Sequence, residues 1–130
     1  MEVEDKKPVF THDSVVLDCR DAEGLADFYA RLLGWHRCPG GDEWAAVANP
    51  EGTFHLYFQA EPDYVAPVWP ASPGCQQMMV HLDFAVNDLE AAVAHAVSCG
   101  AKVADTQYLK NVVVCIDPAG HPFCLCKHGN

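Results

Sequence analysis

The sequence predicts an α+β domain made of two βαβββ modules that enclose a central cleft, one domain over residues 1–130. Two observations carry that prediction. A strand, a polar cap and an amphipathic helix closed by glycine occur twice, ending at Gly34 and at Gly100. Each helix is followed by three short β-like runs separated by Pro- and Gly-containing turns. The modules span about 12–60 and 78–127, and a proline-rich crossover joins them.

In the first module, Ser14-Val15-Val16-Leu17-Asp18-Cys19 reads as a strand that runs into Asp21, a helix N-cap. Leu25, Phe28, Tyr29, Leu32 and Leu33 then fall at i, i+3, i+4, i+7 and i+8, a single apolar stripe. Three β-like runs follow at 35–38, 43–48 and 53–59. In the second module the strand is expected over 79–86. Asn87 with Glu90 makes a capping-box start. Leu89, Ala92, Val93, Ala96 and Val97 repeat the stripe, and β-like runs are expected at 102–108, 111–116 and 122–126. The crossover carries Pro62, Pro67, Pro70 and Pro73, which favour an extended, stiff connection over a strand.

Composition narrows the function. Half of the 130 residues are apolar, enough for a hydrophobic core, and no run is long and apolar enough for a membrane helix. Eight basic residues against 18 acidic give a formal charge of −10, which argues against nucleic-acid binding. The charged N-terminus at residues 1–8 reads as a frayed lead-in without a secretion signal. Seven cysteines at scattered spacings, with no Cys-x-x-Cys pair, read as reduced thiols of a cytoplasmic protein.

Strand alternation sorts the side chains into two faces. If Leu82 and Phe84 pack on the helices, His81 and Asp83 point the other way. Cys124 and Cys126 likewise oppose Phe123 and Leu125, and His55, Tyr57 and Gln59 oppose Leu56 and Phe58. Asp18 joins this face if Ser14 does. His81 with Asp83 makes a general-base pair, the candidate catalytic residues. Asp18, Tyr57, Gln59, Cys126 and the crossover's Trp69 are candidate substrate-binding residues. A structural histidine, an inert buried thiol and a plain linker are the competing readings.

Three segments also resemble a known family. Phe28-Tyr29-Ala30-Arg31-Leu32-Leu33-Gly34-Trp35, His81-Leu82-Asp83-Phe84-Ala85-Val86-Asn87-Asp88-Leu89-Glu90 and Asp117-Pro118-Ala119-Gly120-His121-Pro122-Phe123-Cys124 are similar to marks of the vicinal-oxygen-chelate superfamily. That superfamily holds glyoxalase I, fosfomycin and bleomycin resistance proteins, and extradiol dioxygenases. The glyoxalase-like members without an assigned substrate are the nearest in pattern. The resemblance implies a divalent metal held by the first and last strands of each module. Ser14, His55, His81 and Cys124 stand at those positions, where the family carries His, Glu or Gln. His55, His81 and Cys124 form a zinc-type set with a fourth position for water, zinc being the most compatible ion. A metal-free pocket is the other reading. The lost carboxylate argues against a dioxygenase.

Two functions stay open. One is a glyoxalase-like lyase or isomerase acting on a small oxygenated molecule. The other is a binding protein that sequesters an antibiotic-like compound, as bleomycin-resistance relatives do; a homodimer is expected for either.

Overall fold

The computed structural model describes residues 7–127. The lead-in over residues 1–6 and the chain end from 128 lie outside the described residues. Eight strands and two helices follow in order: β1 (Ser14–Cys19), α1 (Ala22–Leu33), β2 (His36–Cys38), β3 (Trp44–Ala48), β4 (His55–Ala60), β5 (Leu82–Val86), α2 (Leu89–Cys99), β6 (Lys102–Val103), β7 (Val112–Ile116) and β8 (Pro122–Lys127). They make two four-stranded sheets, ordered β1-β4-β3-β2 and β5-β8-β7-β6. In each sheet the first and last strands of the module pair in parallel, and the remaining pairings are antiparallel. This is the predicted duplication.

Local chemistry explains the elements. The Asp21 side chain accepts from the Gly24 N–H at 3.0 Å, and Gly34 closes α1 at φ 70°. In the second module the cap is Asp88, not Asn87: its carboxylate accepts from the Ala91 N–H at 3.0 Å. Both residues suit a cap, so the helix start shifts by one residue. Two strand expectations also need correction. The segment at 79–81 is irregular, with Met79 at φ 58°, and β5 begins only at Leu82. The run at 102–108 holds a strand only at Lys102–Val103, because the Gln107 carboxamide takes the backbone partners beyond it. It donates to the carbonyls of Ala104 and Val114 and accepts from the Val114 N–H.

Helix α1 sits at the centre of the core. Phe28 and Tyr29 are fully buried, and Tyr29 stacks on Phe58 of the first sheet at 5.5 Å. The same two rings meet Phe123 of the second sheet edge-on, at 6.0 and 6.2 Å. Burying such a ring is worth roughly 2–3 kcal/mol, so α1 ties both sheets into one core. Helix α2 is buried less completely. Its buried residues are Ala96 and Cys99, while Val97 of the expected stripe is half exposed. From α2, His95 places Nε2 3.2 and 3.1 Å from the last carbonyls of α1, those of Arg31 and Leu32. A ring N–H donated there satisfies acceptors that a helix end leaves open.

Candidate functional site

Each sheet has one face on the helices and one open face, and the expected alternation holds on both. Leu17, Cys19, Leu56 and Phe58 of the first sheet lie in the core, as do Phe123 and Leu125 of the second. The opposite positions carry the candidate residues.

On the second sheet, three donor groups converge. His81 Nε2 lies 3.0 Å from the Asp83 carboxylate. With Cys124 Sγ they form a group whose ligand atoms all lie within 4.8 Å of one another. The parallel register places Asp83 directly opposite Cys124. In the first sheet the same register places Ser14 opposite His55. The residue equivalent to Ser14 is therefore Asp83 and not His81, which corrects the first-strand position expected for His81. Ser14 stands seven positions before its helix cap and Asp83 only five before Asp88.

Burial and charge shape this cluster. Desolvation, then the Asp83 carboxylate, push the Cys124 thiol up to about 11, so it is a neutral thiol near pH 7. Cys126 shifts in the same direction for the same two reasons. A neutral thiol is a poor nucleophile. Trp69 of the crossover covers this face, packing with Val114, Cys124 and Cys126 in a small apolar cluster. Its indole N–H donates to the Thr106 carbonyl at 3.0 Å, and its ring meets Tyr108 edge-on at 5.8 Å.

His55 is not part of that group. It lies on the open face of the first sheet, its ring stacked on Tyr57 at 5.6 Å, with Nδ1 buried and without a hydrogen-bond partner among the described residues. Trp44, opposite Gln59 on β3, brings its ring to 5.9 Å from that of Tyr57. Val16, Trp44, Tyr57 and Gln59 border a groove of about 520 Å³ with Glu43 and Glu61 beside it. Gln59 donates to the Glu61 carboxylate at 2.8 Å. Asp18 lines a second groove, of about 680 Å³, between β1 and residues 76–80. The candidate residues thus fall into two sets: His81, Asp83, Cys124, Cys126 and Trp69 on one sheet, Asp18, His55, Tyr57 and Gln59 on the other.

The joint between the modules was missed from sequence. Asp117, at the head of the Asp-Pro-Ala-Gly turn, is buried and accepts from the Tyr29 hydroxyl at 2.7 Å. It also accepts from the backbone of Ala119 and His121, both at 2.9 Å. Burial holds its carboxyl above the ordinary range, against the hydrogen bond from Tyr29 and the nearby His121. His121 Nε2 lies 2.6 Å from the Asp18 carbonyl, and the Tyr64 hydroxyl donates to the Ala119 carbonyl at 2.8 Å. An Asp before Pro and Gly signals a turn; nothing local signals that its carboxylate is buried under another module.

Two βαβββ modules with donor groups on their open faces define the class. The chain belongs to the glyoxalase-like domain family, whose model matches residues 14–126, within the vicinal-oxygen-chelate superfamily. Among solved structures it is similar to a glyoxalase/bleomycin resistance protein/dioxygenase family enzyme from Burkholderia phytofirmans PsJN. That match has 16% identity and a TM-score of 0.67, covering 88% of this chain and 96% of that one. A possible glyoxalase from Bacillus cereus matches at 13% identity and TM-score 0.65, covering 91% and 99%. TnmS3, an antibiotic binding protein from Streptomyces sp. CB03234, matches at 17% identity and TM-score 0.62, covering 94% and 98%. At these identities the likeness is one of fold. Curated proteins give no match. No helix among the described residues is long and apolar enough to cross a membrane.

Proposed function

We propose that this domain binds a small oxygenated molecule on the open face of its second sheet, with His81, Asp83 and Cys124 as the chemical centre. The observation that carries the reading is the convergence of an imidazole, a carboxylate and a thiol within 4.8 Å. That donor set fits a zinc-class divalent ion with one position left free. A cation also answers the electrostatics, since it favours the thiolate that burial, and then the Asp83 charge, oppose at Cys124. Such an ion, when bound, polarises a carbonyl or lowers the pKa of a bound water. The chain's own part is different. Without the ion, His81, hydrogen-bonded to Asp83, is placed to accept a substrate proton; as a ligand it gives up that role, and Trp69 packs over the Cys124 side in either case. The reaction class that suits these groups is a lyase or isomerase step on an oxo-compound.

Metal content per protomer, measured on protein purified under reducing conditions, tests this. Near-stoichiometric zinc in the wild type, lost in His81→Ala and Cys124→Ser, is the expected result. Protein that neither carries nor takes up a divalent ion would sink the chelate reading.

The groove beside Trp44 and Tyr57 supports a second reading, sequestration of a cationic aromatic compound between aromatic rings and the carboxylates of Glu43 and Glu61. TnmS3, named as antibiotic binding, makes it worth a direct test. Saturable binding with the compound recovered unchanged, weakened by Tyr57→Ala but not by His81→Ala, would favour it. We further propose pairing into homodimers through the open edges of β1 and β5, near the exposed Val16, Met79 and Val80. A mass measurement in solution checks that. Seven free thiols suit a reducing compartment such as the cytoplasm.

A further inference from the structure

A groove of about 640 Å³ runs along α1, sharing Tyr64 and Val65 with the groove that Asp18 lines. Its walls come from the crossover at Tyr64, Val65 and Ala66 and from the turn at Pro118 and Ala119, and Arg20 and Arg31 border it. The chain has three arginines in all, and the third, Arg37, is committed elsewhere. Its guanidinium pairs with Glu23 and Asp27, both on the exposed side of α1. The Asp21 carboxylate, also in the groove, is engaged in capping the Gly24 N–H. Every carboxylate on α1 and at its cap is therefore occupied. Arg20 and Arg31 have no carboxylate partner among the described residues.

The walls are already built. Arg20 donates to the Tyr64 carbonyl at 3.2 Å, and the Tyr64 hydroxyl holds the Ala119 carbonyl at 2.8 Å. Ala66 lies so close to Gly120, at φ 95°, that a Cβ there would meet the Ala66 methyl at 2.7 Å. The turn itself is anchored by the buried Asp117. A fixed groove loses little on accepting a guest. Its floor and sides are apolar at Leu25, Val65, Ala66 and Pro118. Arg20 precedes the Asp21 cap and Arg31 lies in the last turn, so the helical rises from Ala22 to Arg31 alone set them roughly 14 Å apart along α1, which two arginine side chains can shorten from both ends.

We infer that this groove is a binding site for a small organic dianion, a molecule with a carboxylate at each end of an apolar spacer. Arg20 and Arg31 each fork one carboxylate, as planar guanidinium groups do best. In a chain of net charge −10, two arginines without a carboxylate partner among the described residues give this groove a local attraction for anions. The site is independent of the His81 cluster, so either can fail alone.

The probe is adipate, with hexanoate as the one-carboxylate comparison, titrated at constant ionic strength into labelled protein and followed by amide shifts. Adipate should shift the amides of Gly24, Val65 and Ala119 saturably and bind roughly 10-fold more tightly than hexanoate. Arg20→Gln and Arg31→Gln should each weaken adipate roughly 5-fold or more, with Lys102→Gln unchanged. Arg31 makes no side-chain hydrogen bond among the described residues, so Arg31→Gln tests the site without risk to the wall that Arg20 supports. Equal binding of adipate and hexanoate, an unaltered affinity in Arg31→Gln, or shifts that track ionic strength alone would overturn the assignment.

Discussion

Tyr29 and Asp117 meet across the two modules with their ring and carboxylate both out of water. Tyr29→Phe keeps the ring stacked on Phe58 and removes only the hydroxyl, leaving a buried carboxylate with one donor fewer. The expected loss is about 2 kcal/mol, read as a lower denaturation midpoint with an unchanged slope. Tyr64→Phe, at a half-buried hydroxyl, should cost less. A loss in Tyr64→Phe as large as in Tyr29→Phe would contradict the central place given to Asp117. The same residue scale shows why the metal candidates were partly legible. Alternation placed His81, Asp83 and Cys124 on one face, yet which donors converge depends on strand register. His55 was grouped with them by pattern, and the structure sets it against Tyr57 instead.

At the scale of elements, helix starts offer a clean comparison. Asp88→Ala should destabilise by about 1 kcal/mol, because its carboxylate caps the Ala91 N–H, whereas Asn87→Ala should change little. Thermal unfolding of the two variants separates them, and the reverse order would restore the capping box at Asn87. Both helices and most strand cores were readable from periodicity and turn residues, whereas the parallel pairing of first and last strands came only with the structure. Two further features were not readable. The short β6 reflects competition from the Gln107 side chain, a tertiary choice that no pattern announces. The shift from His81 to Asp83 as the partner of Cys124 reflects a shorter strand in the second module, where four residues run from Asp83 to the end of β5 against six from Ser14 to the end of β1.

Across the whole molecule, thiols set a limit at high pH. Cys19 and Cys115 are fully buried and Cys124 nearly so, and desolvation leads the shift of each from 9.0 to about 11. A thiol whose folded pKa lies above its unfolded value binds its proton more tightly when folded. The associated stability is complete below pH 9 and is lost as pH rises through 11. The melting temperature under reducing conditions should therefore fall between pH 9 and 11, and Cys115→Ala should flatten part of that fall. A flat profile over this range would mean the thiols ionise without unfolding.

The aromatic face of α1 is finished only by Phe84 and Phe123, which lie far along the chain. During synthesis the first module thus leaves the ribosome with Phe28 and Tyr29 facing partners not yet made. Folding of the N-terminal half waits on the last strand, so the nascent chain passes through a stage with a sticky aromatic surface. A stop codon placed before Leu82, which removes both Phe84 and Phe123, should yield an insoluble fragment and not a stable first module, and supplying the second module as a separate polypeptide during refolding should rescue it.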